Sequence, residues 1–410
     1  MKKRKEMDHE IPLDLLMEIL VRLPAKSLRR FILVSKIWSS MIQSQVFIDY
    51  FFSISSTRPR FFVAFTNCCF EKYKERRLFY YMSSSSSQSQ EGHESSPSSS
   101  LVTNLDTIMP YLAVCDFYGS CSSVHGFIGC SLGVGFLVCN PSTRQVIVLP
   151  TLPKRPAPDM RGTCLCYDPV SDQFKALSLI ASRIPTQDHV EHLVLTLKGD
   201  NTKYSWRQIK GGNNNNIPPY SPVTMKICIN GKVYYGAWTP KVRMNPVIVC
   251  FDVRSEEITF IKAPIDVVFW YSESVLMEYK GKLASIVRNP FNRFDRFDFW
   301  VLEDVEKHEW SKQECVFPLS LWDSVWGLKM SFPGTNKAGD EIILAPRYLS
   351  RQLGPYYIFY YHLGTNNIRR VTVHGIADDE EFRRSYGFEN TVREFPVFIS
   401  PEHVENLRIL

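Results

Sequence analysis

Apolar residues in the first fifty positions recur at intervals of three and four, and beyond them the spacing changes. Leu15, Leu16, Ile19, Leu20 and Leu23 fall on one broad face of a helix, as expected when 3.6 residues make a turn. Pro12 suits a first helical turn, where its missing N–H forfeits no bond, and Asp14 puts negative charge at the positive end of the helix. Pro24 ends or bends this element. A second helical run carries Leu28, Phe31, Ile32, Trp38 and Ile42, with Lys26, Arg29, Arg30, Lys36 and Gln43 mainly off that face. Helices this short are not stable alone, so their apolar faces must pack on each other and on something else. Leu13, Met17, Val21, Leu33, Val34 and Ile37 lie off the principal stripe, more large side chains than one miniature core absorbs. Two readings stay open: a helical cap seated on the rest of the chain, or a module with one face closing its own core and another laid against a partner protein.

After this the pattern turns to strands. Ser53 to Arg60 reads as a linker, Arg60–Phe65 as a first strand and Arg77–Met82 as a second. The serine-rich tract of residues 83–100 has almost no apolar area to offset its ordering entropy, so disorder is expected there. Farther on, a two-hairpin unit repeats. Its clearest copy runs Met225–Ile229, Asn230-Gly231, Lys232–Tyr235, then Val247–Phe251, a polar turn from Asp252, and Ile258–Ile261. Asn-Gly supplies the positive φ angles of a tight hairpin. A second copy spans Leu276 to Trp310, a degenerate one His125 to Leu149, and another Ile342 to Val373. One such unit cannot cover its own apolar faces, whereas radial stacking does, so the repeat predicts a β-propeller of about five to seven blades. An irregular β-sandwich or paired β-domains is the alternative.

Composition narrows the function. A chain of 410 residues can bury a large core in more than one domain, and 13% aromatic residues favour many strands. A net charge of +6 spread over this length does not describe a nucleic-acid binder. Lys2, Lys3, Arg4 and Lys5 form a basic run that serves equally as a nuclear import signal or a solvated terminus. No stretch has the apolar length to span a bilayer, and no apolar signal region opens the chain, so a cytoplasmic or nuclear location, or both, is expected. The odd count of 11 cysteines lacks a secreted framework. Cys164 and Cys166 would share a strand face, but with no complementary cluster nearby they read as buried thiols.

The helical stretch resembles an F-box closely. The residues that carry the likeness are Ile11, Pro12, Asp14, Leu15, Ile19, Leu20, Arg22, Leu23, Pro24, Lys26, Ser27, Leu28, Phe31, Val34, Ser35, Lys36 and Trp38. Ile37 departs from the pattern, since the family usually places Arg or Lys before the Trp. The resemblance implies docking to the adaptor subunit of an SCF (cullin–RING) ubiquitin ligase, with Pro12, Leu16, Ile19, Leu20, Leu23, Leu28, Phe31, Val34 and Trp38 as interface and supporting core. Leu137–Gln145, Cys166–Lys175, Trp206–Ile209 and Ile229–Tyr234 are similar to elements of the plant F-box-associated, kelch-like domain. The implied fold is α+β and multidomain, a small three-helix F-box followed by a large all-β, β-propeller-like domain. Its parts are a basic terminus at residues 1–8, the F-box at 9–52, a linker at 53–60, the strand-rich domain at 61–400 with the insertion at 83–100, and a tail at 401–410.

No pattern of catalysis competes. His189 and His192 lie in a strand-like run, and Ser123–Gly126 is not a nucleophile elbow. Gly129, Gly133 and Gly135 lack phosphate-loop spacing, and Asp295 and Asp298 alternate with aromatics as a strand would. Asn140, Asp168 and Asp252 read as turn caps. The expectation is a non-catalytic receptor without metal or cofactor. It would bring a client protein to the cullin and RING subunits through the adaptor, or it would be a scaffold using the same docking motif. Trp238, Trp270, Trp322 and Trp326 are the candidates for the client surface.

Overall fold

The computed structural model describes residues 12–66, 77–83, 99–110, 121–132, 135–152, 159–182, 190–197, 204–209, 217–239, 245–268, 274–287, 296–318, 329–350, 353–386, 388 and 395–410. Four helices come first: α1 (Leu13–Leu20), α2 (Ala25–Phe31), α3 (Lys36–Ile42) and α4 (Gln45–Thr57). The second helical run therefore divides, because Ser35 takes an extended backbone and its hydroxyl accepts the Ile37 N–H at 3.2 Å, capping a new helix. The linker expected at 53–60 is mostly helix instead. Ser44 caps α4, and Phe47, Phe51 and Ile54 give it a buried face at helical spacing. The hydroxyls of Ser53, Ser56 and Thr57 donate back to the carbonyls of Tyr50, Phe52 and Ile54, each at 2.8 Å, so a polar composition that suggests a linker is satisfied inside a helix. Only Arg58 and Pro59 separate α4 from the first strand.

The strands build a β-propeller of six blades. Strands β1 (Arg60–Thr66), β2 (Arg77–Ser83) and β3 (Ser99–Pro110) open the chain's β region. Of the serine-rich tract, residues 84–98 lie outside the described residues. Blade 1 follows as β4 (Cys121–Val124), β5 (Phe127–Leu132), β6 (Gly135–Asn140) and β7 (Gln145–Val148). Blade 2 holds β8 (Asp159–Asp168), β9 (Gln173–Ser182), β10 (Val190–Leu197) and β11 (Arg207–Gln208). Blade 3 holds β12 (Ser221–Pro222), β13 (Ile227–Ile229), β14 (Lys232–Trp238), β15 (Pro246–Asp252) and β16 (Ile258–Lys262). In blade 4 come β17 (Ser274–Tyr279), β18 (Lys282–Val287), β19 (Arg296–Asp304) and β20 (Glu309–Val316). Blade 5 is β21 (Met330–Thr335), β22 (Glu341–Pro346), β24 (Tyr356–His362) and β25 (Ile368–His374); the short β23 (Tyr348–Leu349) pairs outside it, with Phe395 and Pro396. After helix α5 (Glu380–Tyr386), β26 (Phe395–His403) pairs with β1 and completes blade 6 in the order β26-β1-β2-β3.

The ring closes on β26. The inner strands touch in sequence, β26 with β4, β4 with β8, β8 with β13, β13 with β17, β17 with β21, and β21 back to β26. The closing strand thus comes from the far end of the chain while its three companions come from the near end. Middle strands such as β14 and β15 are buried on both faces and read as continuous apolar runs, whereas the outer β7 alternates. Indoles staple neighbouring blades: Trp206 Nε1 donates to the Pro150 carbonyl at 2.7 Å, and Trp310 Nε1 to that of Lys262 at 3.0 Å. The tail expected at 401–410 begins inside β26, and only residues 404–410 continue beyond it, without regular secondary structure.

Turns between first and second strands, and between third and fourth, all emerge on one rim. One turn chemistry recurs there. Asn140 Oδ1 accepts the N–H groups of Ser142 and Thr143 at 2.9 and 3.4 Å. Asp168 Oδ1 accepts those of Val170 and Ser171 at 3.0 and 3.3 Å, and Asp252 Oδ1 those of Arg254 and Ser255, both at 2.9 Å. Asp304 Oδ1 serves Glu306 and Lys307, and His362 Nδ1 serves Gly364 and Thr365. The residue four positions on has positive φ in every case: Arg144, Asp172, Glu256, His308 and Asn366. Gly231, at φ +77°, leaves its missing Cβ 2.9 Å from Pro169 Cδ of the neighbouring blade, so the turns of this rim nest against one another.

Candidate docking surface

The helical module stands on this turn-bearing rim. Arg60 opens β1 opposite His403, which ends β26, so α4 enters the propeller where the closing strand leaves it. Phe52 stacks on His125 of the β4–β5 turn with ring centroids 5.2 Å apart, and Lys337 of the β21–β22 turn donates to the Thr57 carbonyl at 2.6 Å. The Arg58 guanidinium donates to the carbonyls of Val21 and Arg22 at 2.7 and 2.6 Å, tying the end of α4 to the end of α1. On the outer side the Tyr50 hydroxyl donates to Glu18, which also pairs with Arg22 at 3.3 Å. The Tyr50 hydroxyl, then Arg22, hold the Glu18 carboxyl below its usual range.

The module has its own core. Leu20, Val21, Ala25, Leu28, Ile42, Phe47 and Phe51 are buried in it, and Leu16, Leu23, Phe31 and Trp38 pack half-buried around them. Phe31 and Trp38 meet edge to face with centroids 5.1 Å apart, a geometry that their ring quadrupoles favour. Among the nine sequence candidates, Leu20 and Leu28 are therefore core, with 2% and 0% exposure. Leu16, Leu23, Phe31 and Trp38 bridge core and surface, while Pro12, Ile19 and Val34 are exposed. An Asp at position 20 would unfold the module before it tested any contact.

Large apolar side chains remain uncovered. Leu13, Leu15 and Ile19 project from α1 with 61%, 53% and 52% exposure, and Leu33, Val34 and Ile37 project from the α2–α3 corner with 86%, 67% and 64%. Isolated exposed leucines are ordinary, whereas six large apolar side chains left open on one small module are many. Sequence reading placed Leu13, Leu33 and Ile37 only as off-stripe residues. The signal that locates Leu33 and Val34 is the Ser35 cap after them, since side chains at a helix break have no neighbouring turn to cover them. Ile37 supplies apolar area where the resemblance leads one to expect a charge.

The propeller holds no comparable cluster of uncovered chemistry among the described residues. Cys164 and Cys166 are fully buried, and burial pushes the Cys164 thiol up to about 11, far from a thiolate. His192 lies among Tyr220 and Tyr235, whose hydroxyls stand 2.6 and 3.2 Å from its Nε2. Asp298 pairs with Lys312 at 2.9 Å across β19 and β20. His189 and Asp295 lie outside the described residues. Trp238 is 6% exposed in the core between blades 3 and 4, so it is not a client contact as the sequence suggested; Trp270, Trp322 and Trp326 lie outside the described residues. No described helix is long and apolar enough to cross a membrane.

Comparison with known proteins bears on both parts. Residues 9–50 match the F-box domain, and residues 66–403 match the F-box associated beta propeller domain. The chain is 66% identical over its full length to the full length of F-box protein At1g30790 of Arabidopsis thaliana. It is 33% identical to F-box/kelch-repeat protein At4g19930 of the same plant, over 91% of this chain and 88% of that one. It is 32% identical to F-box protein DOR, also of Arabidopsis thaliana, over 99% of this chain and 96% of that one. The helical module with its open apolar surface and the six-bladed body beneath it are therefore two halves of one architecture, and the chain belongs to the family of plant F-box proteins with an F-box associated β-propeller domain.

Proposed function

We propose that this chain is the substrate-recognition subunit of an SCF-type cullin–RING ubiquitin ligase. It docks the adaptor through its helical module and a client protein through the propeller. The observation that carries the reading is the pair of exposed apolar groups, Leu13, Leu15 and Ile19 with Leu33, Val34 and Ile37, on a module whose own core is already closed. The chain performs no bond chemistry in this role. It raises the effective concentration of client lysines near a ubiquitin-charged E2 carried by the same assembly. The helical module occupies the turn-bearing rim, so the client belongs on the opposite rim, from which the second-to-third strand connections and the links between blades emerge.

Reconstitution tests it. The purified chain, mixed with adaptor, cullin, RING subunit, E1, E2 and ubiquitin, is expected to co-elute with the adaptor and to promote ubiquitin transfer to proteins captured on the propeller. Failure to co-elute overturns the docking assignment. Co-elution with client capture but without transfer leaves a scaffold and overturns the ligase role.

A further inference from the structure

Residues 404–410 cross blade 1 towards blade 2 and bind the propeller with one side and the helical module with the other. On the propeller side, the Asn406 N–H donates to Ser142 Oγ at 3.1 Å and Asn406 Nδ2 to the His125 carbonyl at 2.8 Å. The Arg408 guanidinium donates to Asp172 at 2.6 Å, and Gln145 holds both main-chain groups of Leu410, at 2.9 and 2.6 Å. Leu410 packs on the cluster between blades 1 and 2. On the other side, Glu405 Oε1 accepts the Ala25 N–H at 3.1 Å, and Leu407 inserts into the core of the helical module with 7% exposure. One short segment thus links two cores whose only covalent connection on the near side is Arg58 and Pro59.

The propeller carries residues fitted to this segment. A Cβ at Gly126 would stand 2.6 Å from Asn406 Cβ and 2.6 Å from the Val404 carbonyl oxygen, so the segment lies flat only over a glycine. Asn140 is the second. In its turn Oδ1 performs the capping that Asp168, Asp252 and Asp304 perform in theirs. Its Nδ2 adds what a carboxylate cannot, donating to the Asn406 carbonyl at 3.0 Å and the Arg408 carbonyl at 2.9 Å. The side chain is fully buried, where both halves of the amide need partners. We propose that Asn140 is a positioning residue: by gripping residues 406 and 408 it makes the terminal segment a strap that fixes the helical module on the propeller. The strap deepens the receptor reading and rests on it for the consequence that the adaptor-to-client distance is set, while the strapping itself is measured without adaptor or client.

Asn140→Asp in the full chain isolates the grip, because Asp keeps the turn cap and turns an oxygen towards two carbonyls. At pH 8, amide exchange across residues 404–410 and at Ala25 is expected to quicken by at least about tenfold, as lost charge-free hydrogen bonds and a buried repulsion together imply. The distance distribution between genetically encoded spin labels at Gln43 and Glu309 should broaden, while exchange in β5 and β6 stays as in the unaltered chain. Unchanged exchange and an unchanged distribution overturn the proposal, as does a broad distribution in the unaltered chain. Should Asn140→Asp not fold, Gln145→Ala, which removes both bonds to Leu410, decides by the same two readouts in the same directions. Failure of adaptor capture, by contrast, sinks only the receptor reading.

Discussion

Neighbouring residues on α1 separate folding from docking. Leu20 is 2% exposed in the core of the module, and Ile19 is 52% exposed beside it. Leu20→Ala leaves a cavity that costs about 2–5 kcal/mol, enough to melt a module this small while the propeller stays folded. Ile19→Asp forfeits only the covered half of the side chain, so stability should fall by about 1 kcal/mol. Docking is another matter. Covering the open half of Ile19 is worth about 1 kcal/mol, and Asp forfeits that while adding a carboxylate whose desolvation costs several kcal/mol. A total near 4 kcal/mol weakens the adaptor complex by roughly three decades in Kd. Titration calorimetry against purified adaptor, beside thermal melts of both variants, reads the two effects separately. Adaptor affinity within about threefold of the unaltered chain for Ile19→Asp, with the module still folded, would refute the docking surface.

Three further outcomes follow from particular contacts. Glu405→Ala should lower the melting midpoint of the helical module by the equivalent of about 1–2 kcal/mol, since the Ala25 N–H at the start of α2 has its hydrogen bond from Glu405 and the Pro24 side chain offers no cap. His403 is fully buried, tilted against the Phe62 ring and bonded to Ser123, and burial pushes it down to about 3. Its folded value lies below the unfolded 6.5, so its contribution is present above pH 6.5 and is lost as pH falls towards 3. Urea unfolding between pH 7.5 and 5 should show that loss, and His403→Gln should flatten the slope. Gly231→Ala forces a positive φ on a residue with a Cβ 2.9 Å from Pro169, so the urea midpoint should fall by the equivalent of about 1–3 kcal/mol.

The legible parts of this chain were those fixed by local chemistry. Asn230-Gly231 and the Asp252 turn mark blade 3 because a two-residue hairpin and a capped turn need those residue types wherever they occur. Blade 6 was not legible, because its strands come from opposite ends of the chain and no local repeat joins Arg60 to His403. Blade 2 opens with a long β8 and closes with a two-residue β11, so its unit does not look like the others. In the helical module, periodicity identified the apolar residues but not their side: Val21 off the stripe is fully buried, and Ile19 on it is half open. Burial there depends on α4 and on Leu407, which pack from outside the repeating stretch.

The two rims divide the work of the molecule. On one, capped turns nest blade against blade, and α4 and residues 404–410 rest on part of it. Turn chemistry there serves rigidity: a loop that must present the N–H groups of Ser142 and Thr143 to Asn140, and Asn140 to the strap, has little freedom to vary for recognition. On the opposite rim the link between β25 and β26 is held by its own contacts: Asp379 Oδ1 accepts the Glu381 and Phe382 N–H groups, and Arg383 donates to the Ala377 and Ser350 carbonyls. Most of that rim's second-to-third strand connections, at 84–98, 133–134, 183–189, 240–244 and 288–295, lie outside the described residues. In the proposed receptor the strap and the helical module share one rim, so the adaptor geometry is set on the side of the ring away from the proposed client surface.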